Sequence, residues 1–469
     1  MSLPKTTLSR YGGWLPSSPV IRESFFQARL ADAKKRLAFI QSESEFAAQA
    51  DDPDGKAAFG HIPSVVEFEH AINTKDDPND PRLLHLFKQI FLQAPEENRI
   101  HDFDTFLGLL DTILVEPPKF HIAKDADDNV IGEPIGVPLY LIFDLLSNTA
   151  AAYDLFRDKK FNDALKRLLV TWGDYLSDTS RDSNKSLHCG EEGWFSRPAL
   201  DALESNDRGK FEETYVCPNP KALPSKGFAT WDAFFTRAFK PEARPVAEPD
   251  NKYLIRSACE STVYRISRNV KEHDKFWLKS QPYSIYDMFK NDEDKEKTYL
   301  DDVRYFIGGT VYQAFLSPLD YHRWHAPVDG TIVKTVIIPG TYYAVLPDEG
   351  AGDNDYPLKP GDPHGALIRS QAWITMAAAR ALIFIQADNP DIGLICFIAV
   401  GMAEVSTVDV HVQKDRKVKA GDELGRFHFG GSSHTLIFGP QAKITFEECI
   451  KENRHIKLNS AIARARARG

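Results

Sequence analysis

The stretch Phe427-His-Phe-Gly-Gly-Ser-Ser-His434 lies near the C-terminus, between two runs of β-forming residues. Two glycines followed by two serines are typical of a turn. The same residues also permit self-cleavage, because the hydroxyl of Ser432 can attack the carbonyl of Gly431, which no side chain shields. The resulting ester can eliminate to dehydroalanine, which hydrolyses to a pyruvoyl group. The motif alone favours a turn, so the choice between turn and cleavage site depends on residues upstream.

The bulk composition is that of a globular protein. The chain has 469 residues, 42% of them hydrophobic and 26% charged, which suffices for two or three domains or for one large domain with an extension. A net charge of -10 predicts no nucleic-acid partner. No window of about eighteen uninterrupted apolar residues occurs, so we predict no transmembrane segment. The five cysteines are scattered and lack CxxC spacing, which fits a reducing compartment. Because the N-terminus has neither an apolar signal core nor an Arg-rich presequence, we predict a cytoplasmic protein.

Helical periodicity dominates the first part of the chain. Apolar residues recur at helical spacing in a series of segments, which are 64–73, 83–92, 103–115 and 161–176. The apolar run 136–146 is too short to span a membrane and contains Asp144, so it predicts a buried helix. We therefore predict a helical N-terminal domain over residues 1–180 and a connecting segment over residues 181–250, which contains a helical stretch over residues 230–239.

After residue 250 the hydrophobic period changes from helix to strand. Apolar or alternating runs rich in β-branched residues are flanked by Gly, Pro or Asp and predict strands at 253–255, 262–266, 330–338, 381–385, 394–400 and 410–412. Inserted helices are predicted near 283–290 and 371–380. Residues 251–469 are therefore expected to form an antiparallel β-rich domain, and the fold class of the chain is α+β.

The run Asp320-Tyr-His-Arg-Trp-His-Ala-Pro-Val-Asp-Gly330 contains His322 and His325, three residues apart. On a helix this spacing would suit two metal ligands. The proline and glycine that follow favour a loop or the start of a strand instead, and no third ligand is apparent, so we predict no metal. Each histidine could be structural, or one could activate Ser432, because a neutral imidazole accepts a hydroxyl proton near pH 7.

A third element is the run Ser257-Ala-Cys-Glu-Ser261, which precedes a predicted strand. Its carboxylate, Glu260, could orient an imidazole and stabilise the charged form, as in a catalytic triad. By itself Glu260 would be an ordinary surface carboxylate at the head of a strand.

Taken together, these motifs resemble the phosphatidylserine decarboxylase family of self-processing, pyruvoyl-dependent decarboxylases. The similarity covers about residues 230–445. Four segments carry it, which are 234–245 (family pattern FFxRxLKPxxRP), 279–284 (KGxxYS), 308–325 (GGT…LSPxDYHRxH) and 425–433 (GRFxxGST).

The resemblance implies a role for each candidate residue. Ser432 would be the pyruvoyl precursor, cut from Gly431, so that an α and a β chain arise from one proenzyme. His325 would be the base of the triad, with His322 as a supporting group. Glu260 would replace the aspartate of the family's SPADG segment, although its side chain is one methylene longer. The substrate amine would form a Schiff base with the pyruvoyl group, without pyridoxal phosphate.

Several departures from the general family pattern are similar to a fungal subgroup, the L-tryptophan decarboxylases. Among them are the variant run at 257–261 and the sequence of residues 427–433. This resemblance implies a small-molecule partner, a free aromatic L-amino acid such as tryptophan. One alternative is a phosphatidylserine decarboxylase that makes phosphatidylethanolamine in phospholipid biosynthesis and therefore binds a phospholipid. Another is a non-catalytic scaffold relative that does not cleave itself.

Overall fold

A computed structural model provides the structure of the chain. It describes residues 19–49, 60–73, 82–94, 98–124, 130–135, 137–147, 149–273, 283–291, 300–343, 345–346, 370–404 and 407–467. Most of the predicted 279–284 motif, residues 279–282, lies outside the described residues.

The helices within these ranges are α1 (Pro19–Gln49), α2 (Pro63–Asn73), α3 (Arg82–Gln93), α4 (Phe103–Ile113), α5 (Pro138–Ser147), α6 (Ala150–Leu155), α7 (Lys159–Ser177), α8 (Arg197–Leu203), α9 (Phe211–Thr214), α10 (Trp231–Phe235), α11 (Ile285–Phe289), α12 (Leu300–Phe306) and α13 (Gln371–Ala377). The strands are β1 (Lys119–Lys124), β2 (Val130–Ile135), β3 (Leu254–Arg256), β4 (Ser261–Arg268), β5 (Thr310–Leu316), β6 (Arg323–His325), β7 (Gly330–Ile338), β8 (Arg380–Ala387), β9 (Leu394–Ala403), β10 (Thr407–Val410), β11 (Lys417–Val418), β12 (Glu423–His428), β13 (Gly431–Phe438), β14 (Ile444–Phe446), β15 (His455–Ile456) and β16 (Ala461–Ala465).

Two helices that later bear on the site begin at side-chain caps. The carboxylate of Asp158 accepts hydrogen bonds from the backbone N–H groups of Lys160 and Phe161 at the start of α7. The apolar stripe of α7, which includes Trp172, then faces the core. Thr230 caps α10 in the same way, its hydroxyl accepting from the backbone N–H of Ala233 at 3.0 Å.

The main sheet has eight strands in the order β11-β7-β8-β9-β13-β5-β4-β15, and its neighbouring strands are antiparallel. Strand β13 lies in its interior, between β9 and β5. Side chains along β13 alternate between two cores. Ile437 belongs to the core that the helices share, whereas Leu436 belongs to a second core that contains Trp324 of β6 and Phe427 of β12. Residues early in β13 are therefore buried on both faces.

The α+β prediction is confirmed, with helices early in the chain and antiparallel strands after residue 250. The strand predicted at 330–338 has the bounds of β7, and the apolar run at 136–146 is largely the buried helix α5. The boundaries at residues 180 and 250 stay a prediction, because a single apolar core continues from the helices into the main sheet. Among the described residues, no helix combines the length and the apolar character needed to cross a membrane.

Some local features differ from the sequence predictions, and the strand predicted at 410–412 shares only Val410 with β10. A hairpin, β1–β2, interrupts the predicted helical domain. Strand β5 was not among the predicted strands, although it pairs with β13 at the site. The helical stretch expected from Thr230 to Phe239 ends at Phe235, because the chain beyond it is extended and pairs with the segment before it, with Val216 N–H donating to the Ala238 carbonyl at 2.9 Å.

Candidate active site

Ser432 is the second residue of β13 and is fully buried. The turn expected from the two glycines lies just before it, at residues 429–430, where Gly430 has a φ of 122° that favours glycine. The pairing of β13 with β9 shifts register between Gly431 and Ser432. Such an irregularity bends the strand locally and disturbs the hydrogen-bond ladder. The bond between Gly431 and Ser432 thus lies at the edge of regular pairing, inside a closed environment.

The side chain of His322 faces this serine. The distance between His322 Nδ1 and Ser432 Oγ is 3.4 Å. The imidazole is fully buried and stacks on the ring of Phe235 in α10, with centroids 4.0 Å apart and planes at 20°. Burial lowers the pKa of His322 to about 3, and the charge of nearby Asp320 offsets only part of this effect. The ring is therefore neutral at physiological pH, with one nitrogen unprotonated, and the lowered pKa makes it a weak base.

A buried ion pair holds the loop that carries His322. Asp320 is fully buried, and its Oδ1 accepts a hydrogen bond from Arg208 Nε at 2.8 Å. Arg208 Nη2 lies 2.7 Å from the same oxygen. It also accepts from the backbone N–H of Ser317 at 2.7 Å and lies 3.1 Å from His455 Nε2. Burial alone would raise the pKa of Asp320, but Arg208 and His455 outweigh it and hold this pKa well below its usual range. The loop is therefore fixed by a permanently charged carboxylate.

His325 lies in β6 and has a hydrogen-bond partner on each ring nitrogen. Its Nδ1 is 2.7 Å from the carbonyl oxygen of Gly421, which can only accept, so Nδ1 carries the proton. Its Nε2 then accepts from the hydroxyl of Tyr321 at 2.9 Å. Burial lowers the pKa of His325, so this ring is also neutral. Both His325 and Ser432 are in the described part of the chain, and they share no hydrogen bond there.

Glu260 is fully buried just before β4, where its carboxylate binds an arginine. Arg244 donates to it from Nε at 2.9 Å and from Nη2 at 2.6 Å, and the backbone N–H of Leu458 donates at 2.8 Å. The segment touches His325 through its backbone, since the Ala258 carbonyl accepts from the His325 N–H at 2.9 Å. The partners of Glu260 are thus those of a structural ion pair, and its role as the third member of a triad stays a prediction.

No role was predicted for Asp320, although a carboxylate two residues before a candidate histidine is a usable signal. None was predicted for His434 either, which follows Ser432 by two residues and so lies on the same face of β13. His434 is buried, burial lowers its pKa to about 3, and neither ring nitrogen has a hydrogen-bond partner among the described residues. Arg208 had no local signal, because it meets Asp320 across 112 residues of sequence.

The donor groups near Ser432 do not form a metal site. Within the ranges that the structure covers, no three or more His, Cys, Asp or Glu side chains are grouped so that they could hold a metal ion. The arrangement contains a buried hydroxyl, an adjacent glycine carbonyl and a neutral imidazole. These are the groups that acyl transfer from a peptide to a serine requires.

Comparison with known protein families defines the class of this protein. A family model described as phosphatidylserine decarboxylase matches residues 231–464, and a second model with the same description matches residues 62–203. The chain belongs to the phosphatidylserine decarboxylase family and is a carboxy-lyase, as the resemblance in the motifs indicated.

Individual relatives extend the match to most of the chain. Decarboxylase iboD of Amanita muscaria is 56% identical over 356 residues, which are 76% of this chain and 99% of that protein. The L-tryptophan decarboxylase of Psilocybe cubensis is 33% identical over 439 residues, 90% of this chain and 91% of that protein. The L-tryptophan decarboxylase of Psilocybe cyanescens is 36% identical over 345 residues, 71% of this chain and 74% of that protein. The predicted similarity to the fungal L-tryptophan decarboxylases is confirmed.

Proposed function

We propose that the chain cleaves itself between Gly431 and Ser432 and then decarboxylates a free aromatic L-amino acid such as tryptophan, without pyridoxal phosphate. The observation that carries the cleavage is the contact of 3.4 Å between Ser432 Oγ and a neutral, buried His322, beside a glycine carbonyl. The substrate class is supported by the relatives named L-tryptophan decarboxylase, which align with most of this chain.

The cleavage begins with proton transfer from Ser432 Oγ to His322 Nδ1, which requires the imidazole proton to be on Nε2. The oxygen bonds to the carbonyl carbon of Gly431, the peptide C–N bond breaks, and the proton passes to the nitrogen of residue 432. An ester now joins the two residues. Loss of the α-proton of residue 432 breaks the ester C–O bond, which frees the carboxylate of Gly431 and leaves dehydroalanine. Addition of water and loss of ammonia then give the pyruvoyl group.

The residues around Ser432 fit a group of this kind, because a keto acyl terminus is small, uncharged and made from the serine itself. When formed, a pyruvoyl group supplies a carbonyl that binds the substrate amine and takes up the electrons released with carbon dioxide. His322 lies next to residue 432 and, being neutral with its proton on Nε2, presents a proton acceptor to that residue. His325, which the family resemblance implies as the base, hydrogen-bonds to Tyr321 and to the Gly421 carbonyl, and among the described residues it shares no hydrogen bond with Ser432.

The proposal includes two chains from one proenzyme, the smaller one beginning at residue 432, and a cytosolic location. The five cysteines are all free thiols, two of them exposed, which is compatible with a reducing compartment.

The test is to purify the wild-type protein and the Ser432→Ala variant and to measure intact mass, amine formation and carbon dioxide release. Substrates would be tryptophan, other aromatic, aliphatic, basic and acidic amino acids, and phosphatidylserine vesicles. We expect two chains and turnover of an aromatic amino acid for the wild type, and one inactive chain for Ser432→Ala. A cleaved and active Ser432→Ala protein would disprove the cleavage site. Turnover of the lipid alone would make the protein a phosphatidylserine decarboxylase, and an uncut, inactive wild type would favour the scaffold alternative.

A further inference from the structure

Aromatic rings from outside the main sheet enclose Phe429, the residue that precedes the two glycines of the proposed cleavage site. Phe429 is buried. Trp172 of α7 meets its ring edge-on, with centroids 4.5 Å apart and planes at 88°. Trp231 and Phe235 of α10 also meet it edge-on, at 5.7 Å and 6.3 Å. Edge-to-face pairs at these distances are favourable beyond the area that they bury.

The rings around Phe429 are themselves fixed in place. The indole of Trp172 is fully buried, and its Nε1 donates to the backbone carbonyl of Glu116 at 3.1 Å. Phe235 also stacks on His322, with 4.0 Å between the ring centroids. One aromatic cluster therefore contacts both partners of the reaction, namely the chain that is to be cut and the imidazole that is to take the proton.

A second contact joins the helices to the strand beside the cleavage site. Ala403 of β9 pairs with Gly431, and the next residue, Glu404, is buried with a φ of 61°. The carboxyl group of Glu404 accepts a hydrogen bond from the backbone N–H of Tyr140 in the first turn of α5. A non-glycine residue held in the left-handed region costs free energy, so the surrounding structure must fix it. The helical part of the chain thus holds both Phe429 and the strand that pairs with Gly431.

We propose that the helical region serves as a clamp for self-cleavage, and that Trp172 and Phe429 are positioning residues for this reaction. The inference rests on the self-cleavage proposed above. Two consecutive glycines leave the backbone before Ser432 with unusual conformational freedom. Attack requires the serine oxygen and the carbonyl carbon to stay close and aligned, and a misplacement of about 1 Å can cost about 10²-fold in rate. The ring contacts at Phe429 remove that freedom immediately before the glycines.

The chain offers a matched control in Trp194. This second tryptophan is also buried, and its Nε1 donates to the carbonyl of Pro118 at 2.9 Å, in the same short segment that receives Trp172. Its ring neighbours are Phe120, Trp231 and Phe234 rather than Phe429. Removal of either indole therefore leaves a comparable cavity and an equivalent unpaired carbonyl. Only the removal of Trp172 takes away a ring that contacts Phe429.

The experiment follows cleavage on denaturing gels after cell-free synthesis of the wild type, Trp172→Ala, Trp194→Ala and Trp172→Phe, with urea unfolding of each purified protein. We expect Trp172→Ala to slow cleavage by about 10- to 100-fold relative to Trp194→Ala at similar stability, and Trp172→Phe to restore most of the rate. If the alanine variants do not fold, Trp172→Leu and Trp194→Leu replace them with the same expected difference. Equal slowing at positions 172 and 194 would overturn the clamp, whereas a wild type that never cleaves would overturn the proposed function itself.

Discussion

His322 lies in a loop and His325, three residues later, lies in β6. The two imidazoles differ in their hydrogen-bond partners. His325 has one strong partner on each nitrogen, a carbonyl oxygen and the hydroxyl of Tyr321. His322 is packed flat against Phe235, and its Nδ1 has a long contact of 3.4 Å to the hydroxyl of Ser432. An imidazole with two short hydrogen bonds has its tautomer and orientation fixed, whereas one with a free lone pair beside a hydroxyl can take a proton. The family motif does not distinguish these environments.

The buried carboxylates of the two regions show the same contrast. Asp320 fixes the loop of His322 from two residues away, through Arg208 and the backbone of Ser317. Glu260 lies beside the strand of His325, but its carboxylate accepts hydrogen bonds from Arg244 and from the backbone N–H of Leu458. A carboxylate can thus support a catalytic histidine by fixing the backbone of its loop as well as by bonding to the ring.

The largest expected effect is on the rate of self-cleavage when the two histidines are removed in turn. His322→Ala should slow cleavage by about 10²- to 10⁴-fold, because a positioned base contributes that much, and His325→Ala by less than about 10-fold. Cell-free synthesis followed by denaturing gels measures both rates. The reverse order would restore His325 to the role that the family resemblance implies and would make His322 a packing residue.

The pH profile of the same reaction tests whether a buried histidine is the base. The pKa of His322 is lowered to about 3, so its protonated, inactive form accumulates only near and below that pH. Cleavage limited by His322 should therefore not fall between pH 8 and pH 5. An acid limb with a midpoint near pH 6.5 would instead indicate a solvent-exposed histidine as the base.

The next largest effect concerns stability and separates the two carboxylates. Asp320→Asn and Glu260→Gln should each cost about 3–5 kcal/mol of unfolding free energy, because each leaves a buried arginine without its counter-charge. Urea unfolding of the uncleaved Ser432→Ala background measures both losses without interference from processing. In the cleavable chain, Asp320→Asn should also slow cleavage, whereas Glu260→Gln should not. If the Glu260→Gln protein is fully folded but no longer cleaves itself, the triad predicted from the sequence is supported.

The sequence was informative where chemistry is local and uninformative where partners are remote. Gly431, Ser432 and the two histidines were found because each belongs to a short motif. The choice between the histidines could not be made, because it depends on Phe235 and Gly421, which approach from distant elements. The partner of Glu260 is Arg244, which is part of the quoted 234–245 motif, yet no rule of spacing connects the two. Burial on both faces of β13 likewise depends on layers formed by the rest of the chain.

The smallest expected effect is at a third histidine, His428, which lies at the end of β12 and, unlike the other two, faces carboxylates. Its Nδ1 is 3.0 Å from Asp232 of α10, and its Nε2 is 3.6 Å from Asp409 of β10. The positive charge of Arg426, in the same strand, disfavours protonation of His428. The hydrogen bond with Asp232 raises the pKa of His428 above its ordinary value of 6.5, although burial opposes the shift. Because the raised pKa belongs to the folded state, this stabilisation is complete below pH 6.5 and is lost as the pH rises through the raised value.

We therefore expect urea unfolding of Ser432→Ala to show a loss of stability on the order of 1 kcal/mol as the pH rises above 6.5, after allowance for partial exposure of the pair. His428→Gln in the same background should remove this dependence and leave the curve flatter over that window. His411→Gln is the matched control, because His411 also contacts Asp409, at 2.7 Å, while among the described residues no hydrogen bond or ion pair joins it to α10. A slope that survives His428→Gln would contradict the assignment of this pH dependence to His428.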